Sequence, residues 1–383
     1  MRYTKMWVVI ILLLNTISLI MDSELQTSAE NIITRDRRDS VNKKGSKTSY
    51  VPYSPIYIDS NDDFKTMEFK GSGTVNNPYV IENLKIEDAS TNLIDIAGTT
   101  VYVVIQNNLL NNLGGSSISI NLNNVESCII RNNIISNGVN AIKSYQSKDI
   151  KIESNSISET RDKGIHLISS SDNNIIINNS IRNTKGEGIE IYDCTGNIIV
   201  NNSIFNSDND GITLVSSHEH SILYNNINTT DFGIKFVSVS SYNLISNNSI
   251  SKTRDFGIYL EEGSNYNIVT WNNLRENNQY GNSQAYGTTT NSFDYNYWDD
   301  WTSPDVNEDG IVDNPYLINA GYEEIYDLHP LVLPNSLTTG LTLENATTSE
   351  VTDSPSSPIG LEPLSILIAL GIIVVIQSIS RKR

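Results

Sequence analysis

The feature that most constrains this chain is an asparagine-rich motif that recurs every 22 to 25 residues along its middle. Each copy is a pair of polar residues, usually Asn-Asn, followed closely by an aliphatic residue. The copies begin at Asn107, Asn132, Ser154, Asn178, Asn201, Asn225, Asn247 and Asn272. A repeat of this length is one supersecondary unit, and it buries its apolar side only by stacking on its neighbours.

A second motif, Gly-Ile, runs in phase with the asparagine pairs. Its copies begin at Gly164, Gly188, Gly211, Gly233 and Gly257. The residue two positions beyond each Ile is again apolar, and the residue between them is mostly polar. This alternation with a period of two is typical of a short strand with one buried side.

Together the two motifs predict an all-β fold, a single-stranded right-handed parallel β-helix of the pectate-lyase type. Leucine-rich repeats have a similar length, but their L-x-x-L-x-L frame is absent. We expect about eight coils, with both ends of the solenoid capped because an open end is an exposed sheet edge. At about 4.8 Å per coil, Cys128 and Cys194 lie too far apart to form a disulfide.

The motif residues have expected structural roles. Asparagines at the same place in successive coils can stack as a hydrogen-bonded ladder, and asparagine also tolerates a left-handed turn. One-residue shifts between copies leave open which asparagine of each pair points inward. The glycines are expected to permit a left-handed corner before the strand.

The two ends of the chain carry membrane signals. Arg2 and Lys5 precede an apolar run that ends at Met21, and a second apolar run from Leu364 to Ile379 precedes a basic tail. We therefore expect an extracytoplasmic β-helix at the cell membrane, with the C-terminus in the cytoplasm. The predicted organisation is 1–22 signal peptide or N-terminal anchor, 23–52 flexible linker, 53–100 N-terminal cap and first strands, 101–290 β-helix repeats, 291–332 C-terminal cap with an Asp-rich loop, 333–360 Ser/Thr/Pro linker, 361–380 transmembrane helix and 381–383 basic cytoplasmic tail.

Charge narrows the choice of partner. The chain has 44 acidic and 26 basic residues and a net charge of −18. Nucleic-acid phosphates require Lys- and Arg-rich surfaces, so no nucleic-acid partner is expected. The membrane, surface glycans and other surface proteins are the partners that fit.

Two blocks flank the repeats and carry a family resemblance. The front block is Gly71-Ser72-Gly73-Thr74 followed by Pro78-Tyr79, and the back block runs from Asn296-Tyr297-Trp298 through Asp309-Gly310-Ile311 to Pro315-Tyr316. With the coils between them, these blocks resemble the NosD-like (periplasmic copper-binding protein) β-helix family and related archaeal surface proteins. The resemblance covers about residues 53–330, and it implies a β-helix and copper handling.

Candidate metal ligands fall in the back block and among the histidines. Asp305, Asn307, Asp309 and Asp313 occupy positions 1, 3, 5 and 9 of a loop with Gly310 at position 6. Such oxygen ligands suit a structural Ca²⁺, although an Asx-rich turn without an ion explains them equally well. Copper prefers Cys, Met and His, and the sparse, scattered copies in this chain do not support a copper site.

The turns before the Gly-Ile motifs are charged and stack on one flank of the predicted helix. Candidate catalytic residues there are Asp162, Glu187, Asp210, Asp231, Asp255, Arg161 and Arg254. The adjacent outward column supplies the candidate substrate-binding residues His166, Glu190, Lys235 and Tyr259. Three functions remain open: a structural or adhesive surface rod, a glycan-binding flank, and a polysaccharide-active lyase, hydrolase or epimerase whose carboxylates lie one or two coils apart.

Overall fold

The computed structural model describes residues 49–279, 281, 283–318 and 324–335. The predicted segments 1–22, 361–380 and 381–383, and most of both linkers, lie outside these residues. Within them, no helix is long and apolar enough to cross a membrane.

The chain winds into a right-handed parallel β-helix of about nine turns, close to the predicted eight. Each coil contributes one strand to each of three parallel sheets, which contain 11, 10 and 10 strands. Sheet A consists of β1 (Val51–Tyr53), β4 (Leu84–Asp88), β7 (Leu109–Asn112), β10 (Ile134–Ser136), β13 (Ser156–Ser158), β16 (Ser180–Arg182), β19 (Ser203–Phe205), β22 (Asn226–Asn228), β25 (Ser249–Ser251), β28 (Asn273–Arg275) and β31 (Tyr297–Trp298).

The other two sheets follow sheet A around each coil. Sheet B consists of β2 (Ile56–Ile58), β5 (Ile94–Thr99), β8 (Ile120–Val125), β11 (Ile142–Tyr145), β14 (Ile165–Ile168), β17 (Ile189–Tyr192), β20 (Ile212–Val215), β23 (Ile234–Val237), β26 (Ile258–Leu260) and β29 (Ala285–Tyr286). Sheet C consists of β3 (Tyr79–Glu82), β6 (Val103–Gln106), β9 (Cys128–Arg131), β12 (Lys151–Glu153), β15 (Ile175–Ile177), β18 (Ile198–Val200), β21 (Ser221–Leu223), β24 (Leu244–Ser246), β27 (Ile268–Thr270) and β30 (Ser292–Asp294).

Identical aliphatic residues stack through the bore of the helix. The Gly-Ile motif supplies one inward column of sheet B, and every member of that column is buried. The column contains Ile56, Ile94, Ile120, Ile142, Ile165, Ile189, Ile212, Ile234 and Ile258. Each coil alone exposes this surface, so burial between coils is the main stabilising contribution.

The asparagine pairs form the predicted ladder, and the structure resolves which member points inward. In six of the eight copies the second residue of the pair is buried, and its amide Nδ2 donates to the side-chain oxygen of its equivalent in the next coil, as from Asn179 to Asn202 at 3.0 Å. The first residue, such as Asn178 or Asn201, has a left-handed φ of 58° or 54°. In the other two copies Tyr224 and Trp271 take the left-handed position, and Asn225 and Asn272 are the inward residues.

The expectation that the glycines make a left-handed corner is wrong. None of the five Gly-Ile glycines has a positive φ. A Cβ added to Gly211 would lie 2.5 Å from Ile227 Cγ2 and 2.6 Å from the carbonyl oxygen of Gly233. At each of these five glycines an added Cβ would lie within 2.8 Å of an atom of the neighbouring coil, so the close approach of the coils favours glycine there.

A second ladder lies at the start of sheet C and contains a histidine. Asn197 donates its backbone N–H to Nδ1 of His220 at 2.9 Å, and the His220 backbone N–H donates to Asn243 Oδ1 at 2.8 Å. The other ring nitrogen of His220 lies 3.1 Å from the carbonyl oxygen of Cys194. Complete burial lowers the pKa of His220 to about 3, so this ring is neutral and structural.

Aromatic side chains close both ends of the solenoid. At the front, the short helix α1 (Asp63–Thr66) places Phe64 in a stack on Tyr79, with ring centroids 4.8 Å apart. At the back, Trp298 stacks on Tyr316 at 4.1 Å, beside the antiparallel pair β32 (Tyr316–Ile318) and β33 (Ile325–Asp327). The two blocks that flank the repeats are therefore caps.

Candidate functional site

The predicted charged flank exists and follows sheet B. We call it the B face: the outward side chains of sheet B together with the residue that precedes each Gly-Ile corner. Its first part lies over three consecutive coils and centres on Lys163. Lys163 Nζ lies 3.3 Å from Glu187 Oε2 and 3.5 Å from Glu190 Oε2.

Hydrogen bonds hold this charged cluster together. His166 Nε2 lies 3.0 Å from Glu190 Oε2, and Asn209 Nδ2 donates to Glu187 Oε1 at 2.7 Å. Burial alone would raise the pKa of Glu190, but the His166 hydrogen bond and the Lys163 ammonium outweigh it and lower that pKa. Glu190 is therefore an anion that accepts hydrogen bonds at neutral pH.

Asp210 and Lys235 lie one and two coils further on. The Asp210 side chain is only 2% exposed; its Oδ2 accepts from Thr213 Oγ1 at 3.0 Å and lies 3.3 Å from Lys235 Nζ. Burial raises the pKa of the Asp210 carboxyl, and the Lys235 ammonium opposes that shift. Because Asp210 is so deeply buried, it positions Lys235 and Thr213 and is closed to direct contact with a ligand.

The second part of the B face is aromatic. Phe232 and Phe256 take the place that Glu187 and Asp210 hold in earlier coils, and Tyr259 and Tyr286 continue the outward column of sheet B. The Tyr259 and Tyr286 rings stack at 5.0 Å, whereas Phe232 is tilted by 59° against Tyr259. All four rings are half-exposed, so the B face presents apolar ring surface and phenol hydroxyls beside its charged part.

The remaining predicted catalytic residues lie at the edge of this arrangement or outside it. Arg254 pairs with Asp231 at 2.6 Å, and Asp255 accepts the backbone N–H of Phe256 at 3.0 Å. Asp162 contacts only Lys163 of the cluster, at 3.1 Å. Arg161 lies against Gly115, two coils nearer the front.

Sequence reasoning missed several members of the B face, namely Lys163, Phe232, Phe256 and Tyr286. A usable signal existed, because Lys163, Phe232 and Phe256 directly precede a Gly-Ile motif, in the same column as Glu187 and Asp210. Tyr286 was hidden because its coil replaces Gly-Ile with Gln284-Ala285.

The Asp-rich loop lies in the back cap, and its oxygens are used by its own backbone. Asp305 Oδ2 accepts the Gly310 N–H at 3.1 Å, and Asp313 Oδ2 accepts the Val306 N–H at 2.8 Å. Asn307 Oδ1 accepts the Asp309 N–H at 3.1 Å. These contacts are those of an Asx-rich turn, and Ca²⁺ binding stays a prediction that a calcium titration of the melting temperature would test.

The residues of the described chain do not fit a copper centre. His220 uses both ring nitrogens in its ladder, and His218 Nδ1 accepts the Ser241 N–H at 3.3 Å. Cys128 and Cys194 are free and buried, and burial raises the pKa of each thiol to about 12. In residues 49–335, apart from the short undescribed gaps, no group of three or more His, Cys, Asp or Glu side chains is arranged to hold a metal ion.

The fold and this face define a class of protein: a capped right-handed parallel β-helix with a mixed charged and aromatic flank. Comparison with known families agrees, since the family described as periplasmic copper-binding protein (NosD) matches residues 23–186 and 95–321. These matches span well over half of the sequence, and the chain belongs to the NosD family. No curated protein matches.

Solved β-helix structures resemble the chain at low identity. One is a variant of the periplasmic alginate epimerase AlgG, with a TM-score of 0.45, 17% identity and coverage of 57% of this chain and 58% of that one. The Azotobacter vinelandii mannuronan C-5 epimerase AlgE6 A-module has a TM-score of 0.44 and 11% identity, and the coverage is 68% of this chain and 85% of that one. The alginate lyase from Paenibacillus sp. str. FPU-7 has a TM-score of 0.41 and 14% identity, with 63% and 95% covered.

Proposed function

We propose that this protein is an extracytoplasmic glycan-binding β-helix and that the B face is its binding surface. The observation that carries the proposal is the junction of two kinds of surface along one sheet. Carboxylates and an imidazole that can exchange hydrogen bonds with sugar hydroxyls adjoin half-exposed rings that can cover sugar C–H groups.

The rigid spacing of the solenoid supports a polymeric ligand. Equivalent side chains on successive coils recur about every 4.8 Å along the axis, and the functional side chains lie on the strands of sheet B or at the corner two residues before them. A chain of sugars lying along the axis would meet the charged part and the aromatic part in turn. A structural rod without a ligand does not require half-buried Glu, His and Lys side chains to gather on one face.

A glycan array with the full chain tests this proposal. The matched comparison is Tyr259→Ala with Tyr286→Ala against Tyr242→Ala with Tyr266→Ala, because both tyrosine pairs are stacked, at 5.0 and 5.1 Å. The second pair lies where the chain enters sheet C, away from the B face. We expect binding in wild type and in the Tyr242/Tyr266 variant, and loss of binding in the Tyr259/Tyr286 variant. Equal binding by both variants would place the site elsewhere.

A catalytic role on the same face is the second candidate, and the His166–Glu190 pair favours it. A histidine hydrogen-bonded to a carboxylate is an arrangement suited to general acid–base chemistry. Both side chains are slightly exposed, at 13% and 15%, whereas Asp210 is closed off. New reducing ends or unsaturated products that vanish in Glu190→Gln would establish an enzyme, and binding without turnover would establish a binding module.

Membrane anchoring belongs to the same proposal and rests on the sequence alone. The apolar run Leu364–Ile379 and the basic tail are suited to span the bilayer and to fix the C-terminus in the cytoplasm. Fractionation of cells that express the full chain, or a chain ending at residue 360, tests it. We expect only the full chain to stay with membranes after carbonate washing.

A further inference from the structure

We propose that the glycan bound by the B face is an uncharged polysaccharide and that polyanionic glycans are rejected. This inference rests on the proposed function and adds the substrate class to it. A site for polyuronates or sulfated glycans needs basic side chains that are free to pair with the ligand's anionic groups. The aromatic part of the B face has no such free basic side chains among the described residues.

The lysines of the charged part are already paired. Lys163 has the carboxylates of Asp162, Glu187 and Glu190 within 3.5 Å, so it is surrounded by more negative charge than it can neutralise. Burial would lower the pKa of Lys163, yet these carboxylates outweigh burial and raise it. Pairing Lys163 with a ligand carboxylate would require breaking these contacts and leaving partly buried carboxylates unpaired.

Lys235 is paired twice at the border of the aromatic part. Its Nζ lies 3.3 Å from Asp210 Oδ2 and 4.4 Å from the centroid of the Phe232 ring. Arg254, the next cation along, is held by Asp231. Lys235 and Arg254 are therefore both already paired with carboxylates of the protein.

Two carboxylates lie beside the aromatic part: Asp255, whose Oδ1 accepts the Phe256 N–H at 3.0 Å, and Glu261, two residues beyond Tyr259. Burial raises the pKa of the Tyr259 hydroxyl, and Tyr286 and then the carboxylates of Glu261 and Asp255 raise it further. Their effect on a phenolate is the effect they would have on a ligand carboxylate at the same place. A polyuronate would carry a charge of the same sign on every sugar along this surface.

Lys143 lies too far from the aromatic part to pair with an anionic group of a ligand bound there. Register places it beside His166 in the outward column, five coils before Tyr259. Five coils correspond to about 24 Å. From Lys143 onward, the column and the corner residues offer three lysines, of which Lys163 and Lys235 already pair with carboxylates of the protein. The carboxylates of Glu187, Glu190 and Asp210, with Asp162 beside Lys163, lie in the same region.

An uncharged sugar chain suits the same groups. Its hydroxyls can donate to the carboxylate oxygens of Glu187 and Glu190 without disturbing Lys163, since each oxygen accepts more than one hydrogen bond. Its C–H faces can cover the rings of Tyr259 and Phe256 without bringing charge near Asp255. The charged cluster then acts as a set of fixed acceptors.

The test compares one polymer backbone with and without its charge and adds three other uncharged polymers. Full-chain protein is titrated, in EDTA to exclude cation bridging, with polygalacturonate, with its methyl ester, and with neutral β-glucan, xylan and α-glucan. The Tyr259→Ala/Tyr286→Ala and Tyr242→Ala/Tyr266→Ala variants are measured in parallel. We expect at least one uncharged polymer to bind at least tenfold more tightly than polygalacturonate. We also expect this binding to change little between 20 and about 200 mM salt, because no counterions are released.

The outcomes separate the two proposals. Binding of an uncharged polymer that is lost only in the Tyr259/Tyr286 variant supports both. Polygalacturonate binding that is lost in that variant and weakens with salt overturns the uncharged class and leaves the proposed function intact. If no polymer binds in a way that depends on Tyr259 and Tyr286, both proposals fail.

Discussion

Lys235 and Asp210 form an ion pair between adjacent coils, with Nζ 3.3 Å from Oδ2, at the point where the charged part of the B face meets its aromatic part. The Asp210 side chain is 2% exposed and the Lys235 side chain is 26% exposed. Loss of this pair should lower the free energy of unfolding more than loss of an exposed ion pair, because removal of the lysine leaves a buried carboxylate without its counter-charge.

Lys235→Met should therefore destabilise the protein by about 2 to 4 kcal/mol at pH 7. Without the ammonium, the pKa of Asp210 rises further, so the loss should shrink as the pH falls and that carboxyl protonates. Chemical denaturation at pH 4 and pH 7 measures both values. The matched control is Lys185→Met, which removes the exposed 2.7 Å pair with Asp208 and should cost less than about 1 kcal/mol. Equal losses in the two variants would contradict this account.

The main asparagine ladder ends on a buried carboxylate, and this gives a pH prediction. Asp327 Oδ2 accepts from Asn296 Nδ2 and from Trp298 Nε1, each at 3.1 Å. Burial raises the pKa of Asp327 from 3.8 to about 6. The folded state thus holds this proton more tightly than the unfolded state, and stability should fall as the pH rises from about 4 to about 6.

The size of that fall follows from the shift, at about 3 kcal/mol for about two pH units. Asp327→Asn removes the titrating group while it keeps one oxygen acceptor for the ladder. Unfolding free energies of wild type and variant at half-unit pH steps should differ in slope across this window and run parallel above it. Identical slopes would show that Asp327 ionises in the folded protein as it does in the unfolded chain.

Neighbouring asparagines in one coil should differ sharply in importance. Asn225 is buried and donates to Ile199 O at 2.9 Å and to Asn248 Oδ1 at 3.0 Å, whereas the Asn226 side chain is exposed. Asn225→Ala leaves buried donors and acceptors of two coils unpaired and should cost about 3 kcal/mol or more, against less than about 1 kcal/mol for Asn226→Ala. Thermal and denaturant unfolding of the two variants measures this, and a reversed order would overturn the assigned register.

His220 provides a test of the structural assignment against the family's copper-binding description. If His220 is a ladder residue, His220→Asn should retain stability within about 1 kcal/mol, since asparagine fills the equivalent place in other coils, whereas His220→Ala should cost about 2 kcal/mol or more. Copper titrations of wild type and both variants should coincide. A copper affinity that drops when His220 is replaced by asparagine would contradict this assignment and identify His220 as a copper ligand.

Most of the fold could be predicted from the repeat, because its period can be read directly from the sequence. The in-phase Asn and Gly-Ile motifs were enough to predict stacked coils, an inward Ile column and capped ends. The role of Gly211 was missed because a close approach between coils leaves the same sequence signature as a left-handed turn. Sequence reasoning also could not orient the asparagine pairs, because Tyr224 and Trp271 replace the first asparagine in two copies.

The site was harder to predict than the fold because side-chain partners depend on offsets between coils of unequal length. Asp231, Asp255 and Arg254 lie in the same turns as the B-face residues but one or two positions further from the strand, where they pair with each other or with backbone. Lys163 and Phe232 look unrelated in the sequence, yet they occupy one column. Only the register of sheet B joins them into a single surface.

The most direct test of the central claim is the dissociation constant of the full chain for the best polymer from the array, measured for wild type and the two tyrosine-pair variants. The account predicts that Tyr259→Ala with Tyr286→Ala weakens binding by about 2 kcal/mol, or roughly thirtyfold, while Tyr242→Ala with Tyr266→Ala leaves it within about twofold. Equal affinity in both variants would contradict the assignment of the B face as the glycan-binding surface.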